Sequence, residues 1–343
     1  MISKSHQGPA SLYLRLSITD RCNLRCHYCR PAVEAPLDTA ETLAWPPGAE
    51  QRSTVDRRTS ARRPLTDAEL VELVGLVDGE RPIHKLRLTG GEPLVRPGLT
   101  SLVRQLRRRL PGAALCLTTN GTLLARHAAE LREAGIEAIN VSLDSTDPPA
   151  FRDITRGGRV AAAIDGIRAA RRAGIPRMKI NTVLIRRFNG DGIEDLVLLA
   201  AQEGCEIRFI ELMPCGEGSV LFDTDFIPAS EALGSLIQRF EYLGPEPVTS
   251  TAVRHRLLVG GRETVIGFIR TVSHPFCDGC DRLRMDCRGN LISCLRIEDK
   301  VDLLEPLRSG DVERAKRAIR CCLAGKRAPQ CQWPGRNMVA IGG

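Results

Sequence analysis

One unit repeats from Thr66 to Ile210: an amphipathic helix followed by a short, largely apolar strand. No other feature narrows the fold as far, because strands that alternate with helices pair in parallel and bury both faces. A strand over Leu12–Ile18 opens the series. Thr66-Asp67 then caps a helix running to about Asp78, and strands follow at Lys85–Thr89, Ala114–Thr118, Ala138–Ser142, Met178–Val183 and Glu206–Ile210. Helices over Leu99–Leu110, Leu123–Ala134, Val160–Ala173 and Ile193–Gln202 separate them. Six strands in this rhythm predict an α/β fold with a partial (βα)6 TIM-like barrel, short of the closed eight-stranded form. Pattern alone leaves an open doubly wound sheet as the alternative.

Past Phe226 the rhythm breaks. A helix over Ala229–Phe240 precedes strands at Ala252–Leu258 and Glu263–Ile269, a cysteine-rich stretch from Cys277 to Cys294, and a helix over Asp311–Leu323. At 343 residues the chain is long enough for about two domains. The expected division is a barrel domain over 1–239 and a smaller α+β module over 240–343. Pro31–Pro64 has weak periodicity and reads as a long, mobile loop.

With 43% hydrophobic residues the chain has the apolar surface to fold, and no window approaches ~18 uninterrupted apolar residues, as a membrane helix would need. The first residues, Met1 to Gln7, lack an apolar h-region, so a cytoplasmic location is expected. Thirteen cysteines are therefore the anomaly. In a reducing compartment clustered thiols bind metal or do chemistry more often than they form disulfides, and an odd count argues against a complete disulfide framework. The net charge of +8 favours anionic ligands only weakly. Much of it lies in Arg104–Arg109 and in Arg168, Arg171 and Arg172, which read as solvated helix faces.

Cys22, Cys26 and Cys29 form C-x3-C-x2-C directly after the first strand. Three thiolates so spaced can wrap one face of an iron–sulfur cubane, leaving its fourth iron open to bind a small molecule. The alternative is a zinc site completed by His27. Cys277, Cys280 and Cys294 form a second trio, C-x2-C-x13-C, for which a zinc knuckle completed by His274 or Cys287 is the alternative.

The first motif, with Tyr28 before its last cysteine and Thr89-Gly90-Gly91-Glu92-Pro93 ending the second strand, resembles that of the radical S-adenosylmethionine (radical SAM) superfamily. That resemblance implies a barrel of the radical SAM type and S-adenosylmethionine chelated by the open iron. One electron then splits its sulfonium bond to give methionine and a 5′-deoxyadenosyl radical.

Adding the second trio, Arg282-x-Arg284, Glu211-Leu212-Met213-Pro214, Val272–Cys277 and the terminal Gly342-Gly343, nearly the whole chain is similar to the GTP 3′,8-cyclase family of molybdenum cofactor biosynthesis. Those enzymes are lyases that convert GTP to (8S)-3′,8-cyclo-7,8-dihydroguanosine 5′-triphosphate. The radical removes the ribose C3′ hydrogen and the carbon radical adds to guanine C8. By resemblance Cys22, Cys26 and Cys29 ligate one [4Fe-4S] cluster, and Cys277, Cys280 and Cys294 a second whose open iron binds guanine. Tyr28, Gly91, Ser142 and Met213 correspond to SAM contacts. Arg15, Arg87, Thr118, Lys179, Arg282 and Arg284 correspond to GTP contacts, as suits a triphosphate gripped by guanidinium groups. Arg282 and Arg284 also assist the closing reduction, and the Gly342-Gly343 tail reaches into the active site.

Implied partners are an electron donor such as flavodoxin or ferredoxin, the downstream cyclic pyranopterin monophosphate synthase, and a second copy in a homodimer. No nucleic-acid or membrane partner is expected. Taken apart from the resemblance, Arg15 and Arg87 could be outward-facing strand charges and Gly342-Gly343 a frayed end. The resemblance gives no role to Cys116, Cys205, Cys215, Cys287, Cys321, Cys322 or Cys331. Two other readings compete. One is a different radical SAM enzyme with an auxiliary cluster, for example a peptide-modifying one. The other is a zinc protein that binds RNA, which aromatics at 4% of the chain do little to support.

Overall fold

Along the strands, apolar residues occupy every second position, and that period decides which face is buried against helices. The structure, a computed structural model, describes residues 11–31, 65–247, 251–277, 280–297, 300–325 and Trp333. Six parallel strands form its centre: β1 (Leu12–Ser17), β2 (Ile83–Thr89), β3 (Ala114–Thr119), β4 (Ala138–Ser142), β5 (Arg177–Leu184) and β6 (Glu206–Glu211). Leu12, Leu14 and Leu16 on β1, Leu86 and Leu88 on β2, Leu115 and Leu117 on β3, Ile139 and Val141 on β4 and Phe209 on β6 belong to one apolar cluster shared with the helices. The other face of the same strands is polar. A doubly wound sheet would cover both faces with helices, so the barrel reading is the one realised.

The chain beyond residue 240 adds strands to both edges of this sheet. β9 (Arg262–Ile269) pairs in parallel with β6, and β7 (Glu241–Pro245) and β8 (Val253–Val259) follow it antiparallel. At the opposite edge β10 (Arg282–Met285) pairs in parallel with β1, followed antiparallel by β11 (Asn290–Ile292) and β12 (Val301–Asp302). The order is β12-β11-β10-β1-β2-β3-β4-β5-β6-β9-β8-β7. The parallel run is thus longer than the six strands expected, because one strand joins at each side.

The expected helices and central strands lie within a few residues of their predicted bounds. Thr66 and Glu69 form a reciprocal cap on the helix Asp67–Glu80: Thr66 Oγ1 accepts from Glu69 N at 3.2 Å and Glu69 Oε2 from Thr66 N at 2.8 Å. Helices at Pro148–Thr155, Gly218–Asp225 and Leu304–Arg308 went unread. The first begins with two prolines, which suggest a turn; at the first helical turn they cost no hydrogen bond, and Asp147 caps Ala150 N at 2.9 Å. Strands β10 and β11 lie inside the cysteine-rich stretch and β12 just beyond it. The expected loop, apart from Pro31, lies outside the described residues, as do Cys331, Gly342 and Gly343. Among the described residues no helix is long and apolar enough to cross a membrane.

Candidate active site

The first cysteine trio sits on the segment leaving the C-terminal end of β1, and backbone contacts clamp it on two sides. Gly91 N donates to Thr19 O at 2.8 Å and Glu92 N to Arg21 O at 2.7 Å, while Arg25 N and His27 N donate to Thr155 O and Ile154 O. A Cβ on Gly91 would stand 2.2 Å from Arg21 O, and one on Gly90 would stand 2.6 Å from Thr19 O. The paired glycines are therefore required by the close pass of the cysteine segment.

Within the trio, Cys22 Sγ accepts from Leu24 N at 3.4 Å and from Asn120 Nδ2 at 3.9 Å. Burial pushes the Cys26 thiol well up, and Asp144, Cys29 and Cys22 add to the shift as negative neighbours. The Cys22 thiol rises to about 11, chiefly by burial and then by Glu92. Desolvated thiols at Cys22 and Cys26, whose charged neighbours are carboxylates and one another more than the single cation Arg30, suit a metal that replaces their protons. The donor set fits a cubane face.

His27 does not complete a zinc site, because both ring nitrogens are engaged elsewhere. Nδ1 lies 3.2 Å from Arg156 Nη2, Nε2 lies 3.7 Å from Asp153, and the ring packs against Phe188. Among the described residues no three His, Cys, Asp or Glu side chains close around a single ion.

Glu92 fastens this arrangement. It is buried, accepts from Leu94 N, Thr119 Oγ1 and Asn120 N at 3.0, 2.7 and 2.7 Å, and burial raises its carboxyl to about 7. Asn120 in turn donates to Asn23 Oδ1 at 2.9 Å. Tyr28 Oη donates to the buried Asp144 at 2.7 Å, and Asp144 also accepts from Val183 N. Ser142 stands at the end of β4 opposite Asn181, and Met213 just beyond β6. The four sequence-predicted SAM contacts thus sit at or just past the C-terminal ends of β1, β2, β4 and β6, the face that carries barrel active sites.

Below them the lumen is lined by the polar rows. Arg282, Tyr13 and Lys85 are neighbours across β10, β1 and β2; Arg284, Arg15, Arg87 and Cys116 form the next row into β3. Thr118, Asn140, Lys179 and Glu206 continue across β3 to β6, and Asn181 faces Arg208. Arg15 and Arg87 therefore face inward, not outward. Arg87 is 3% exposed and donates to Tyr13 Oη at 2.7 Å, Leu117 O at 2.7 Å and Thr118 Oγ1 at 3.3 Å. Arg282 donates to Thr251 Oγ1 at 2.6 Å and lies over Phe276. Lys179 pairs with Glu206, which also takes Arg208 at 2.5 Å.

Positive charge exceeds negative here. Burial, then Arg15 and Arg282, lower the Arg284 guanidinium to about 9, and its buried Nη1 has no partner among the described residues. Asn140 Oδ1 and Asn181 Oδ1 are likewise buried and unpartnered. Buried cations beside unpartnered acceptors have the chemistry to receive an anionic group that also carries donors. Reading the sequence missed Lys85, Arg208, Asn140, Asn181 and Tyr13. Their signal was the two-residue period, as in Tyr13-x-Arg15, Lys85-x-Arg87 and Glu206-x-Arg208.

The second trio borders this lumen through β10. Cys277 and Cys280 precede it and share a turn, with Cys280 N donating to Cys277 O at 3.2 Å; Cys294 follows β11 and acts electrostatically on Arg284. Arg296 N donates to Cys294 Sγ at 3.5 Å and its guanidinium to Thr271 O at 2.7 Å. Buried Glu211 accepts from Val272 N, Ser273 N and Ser273 Oγ, holding the segment that leads to Cys277. Cys287 is buried elsewhere, with Asp20, Asp286, Arg288 and Arg96 as its charged neighbours, and His274 is exposed.

Comparison with known proteins agrees with this geometry. Residues 16–200 match the radical SAM superfamily and residues 205–331 match Molybdenum Cofactor Synthesis C. The GTP 3′,8-cyclase of Moorella thermoacetica is 41% identical over 310 residues, covering 90% of this chain and 88% of that one. The enzyme of the same name from Peptoclostridium acidaminophilum is 39% identical over 300 residues (87% and 85%), and that of Streptomyces coelicolor 37% over 345 (98% and 95%). Among solved structures, Streptococcus suis SuiB bound to S-adenosylmethionine superposes with a TM-score of 0.56 at 13% identity. That match covers 86% of this chain and 64% of SuiB, and bears on the fold alone. Motifs, fold and relatives coincide over nearly the full length, and the chain belongs to the radical SAM superfamily and, within it, to the GTP 3′,8-cyclase family.

Proposed function

We propose that this protein is a GTP 3′,8-cyclase, a lyase catalysing the first step of molybdenum cofactor biosynthesis. The observation that carries the reading is the lumen: buried cations on β1, β2 and β10, with the unpartnered Arg284 Nη1, Asn140 Oδ1 and Asn181 Oδ1, beside two cysteine trios. Cys22, Cys26 and Cys29 would hold one [4Fe-4S] cluster and Cys277, Cys280 and Cys294 a second. With its cluster bound, the first site supplies reductive cleavage of SAM to methionine and a 5′-deoxyadenosyl radical.

Everything else falls to the chain. Tyr28, Gly91, Ser142 and Met213 position SAM at the strand ends. Arg15, Arg87, Thr118 and Lys179, with Lys85 and Arg208, bind the GTP triphosphate and ribose, so that one C–H bond faces the radical and water is excluded. Arg282 and Arg284, between triphosphate and second cluster, stabilise charge as the ring closes. Gly342 and Gly343 complete the site. The strands beyond residue 240 form the module carrying the second cluster. An electron donor such as flavodoxin or ferredoxin, product hand-off to the cyclic pyranopterin monophosphate synthase, a cytoplasmic location and a homodimer complete the proposal.

The test is anaerobic assay of reconstituted protein with GTP, SAM and dithionite. Both 5′-deoxyadenosine and the cyclised nucleotide are expected, from protein holding about eight irons. Formation of 5′-deoxyadenosine without cyclised nucleotide overturns the assignment.

A further inference from the structure

One lumen side chain is not a cation but is surrounded by them. Tyr13 is 9% exposed and stands on β1 between Arg282 of β10 and Lys85 of β2. Its Oη accepts from Arg87 Nε at 2.7 Å and also hydrogen-bonds Arg15. Lys85 Nζ lies 4.6 Å from the ring centroid and Arg282 Cζ 5.6 Å. The charged groups facing it are Arg15 on its own strand, Lys85 and Arg87 on β2, and Arg282 and Arg284 on β10. The nearby carboxylate of Asp281 is turned to His84 at 3.4 Å.

We propose that Tyr13 is a positioning residue of the nucleotide subsite: its hydroxyl oxygen is the resident acceptor that gathers Arg87 and Arg15, and it yields them when triphosphate oxygens arrive. The inference deepens the cyclase reading and rests on it. A phenol oxygen that accepts from two guanidinium groups is poised to ionise, and ionisation would neutralise one of the gathered charges. Burial opposes that, but Arg87, Arg15, Lys85 and Arg282 outweigh it and bring the hydroxyl down to about 7. Once a polyanion engages the same cations, the phenolate loses its stabilisation and takes one proton from solvent. Nucleotide binding is thereby linked to proton uptake, and affinity falls as pH rises above about 7, toward about tenfold per pH unit for one linked proton. Phenylalanine would preserve the ring against Lys85 and Arg282 but could not accept or ionise.

The experiment is calorimetric titration of GTP, and separately of inorganic tripolyphosphate, into anaerobically reconstituted wild type and Tyr13→Phe, in buffers of different ionisation enthalpy. At about pH 8 wild type should take up nearly one proton more than the variant. The wild-type to variant ratio of dissociation constants should climb with pH above about 7. The terminal phosphate, with its pKa of about 6, contributes equally to both proteins and cancels. The KM for GTP should change by a larger factor than the rate of 5′-deoxyadenosine formation at saturating GTP. Equal proton uptake and parallel pH profiles overturn the role of Tyr13 alone. Failure of wild type to bind GTP at all overturns the cyclase reading and this inference with it. If Tyr13→Phe does not fold, wild type decides: no uptake near pH 8 overturns the proposal.

Discussion

The two faces of β1 and β2 differ as sharply as two proteins. Toward the helices stand Leu12, Leu14, Leu16, Leu86 and Leu88, fully or almost fully buried and complementary to one another. Toward the lumen, one residue away in each case, stand Tyr13, Arg15, Lys85 and Arg87, mutually repelling apart from the tyrosine. The outer face supplies stability through burial and packing. The inner face is incomplete in itself and costs stability until something anionic fills it. A period of two thus lets a single strand carry both tasks, and substitution should separate them.

The largest effect is expected at the rim. Cys26→Ala should abolish 5′-deoxyadenosine formation, by more than about a thousandfold, because the radical source is lost rather than weakened. Iron should fall toward half of wild type, with circular dichroism unchanged. Next, Leu86→Ala should remove about 2–5 kcal/mol of stability, read as a lower denaturant midpoint, while the surviving folded protein binds GTP normally. Arg284→Met should do the converse: weaken GTP binding on the order of a hundredfold, as for loss of a charge-assisted contact of about 2–3 kcal/mol, and leave the midpoint equal or higher. A large loss of stability in Arg284→Met would break the division between the faces. Smallest, Arg186→Ala, which removes the exposed, solvent-screened pair with Glu231 at 2.7 Å, should leave the denaturant midpoint and the activity indistinguishable from wild type.

Much of this is legible in the sequence alone. The helix–strand rhythm predicted the central barrel because each unit carries its own cap and period, as the Thr66–Glu69 pair shows. The cysteine trios were legible because thiol spacing is a local property. Other features depended on long-range pairing. That β10 joins β1 and β9 joins β6 could not be read, since strand partners are chosen by three-dimensional closure, not by neighbours in sequence. Lys85 and Arg208 were overlooked although the strand alternation pointed inward, because an isolated strand does not tell which of its faces meets helices. The close pass of the cysteine segment over Gly90 and Gly91 is of the same kind, since it needs the folded arrangement of β1 and β2.

The pairing of β10 with β1 also sets a timetable. Residue 285 must be synthesised before Tyr13 and Arg15 acquire their second neighbour, and at roughly 5–20 residues per second that leaves tens of seconds after β1 emerges. Through this interval the edge of β1 that later meets β10 stays open, and the first cysteine trio follows directly from that strand. On the proposed function, the first cysteine trio is thus in the growing chain well before the strand that brings the second trio to it.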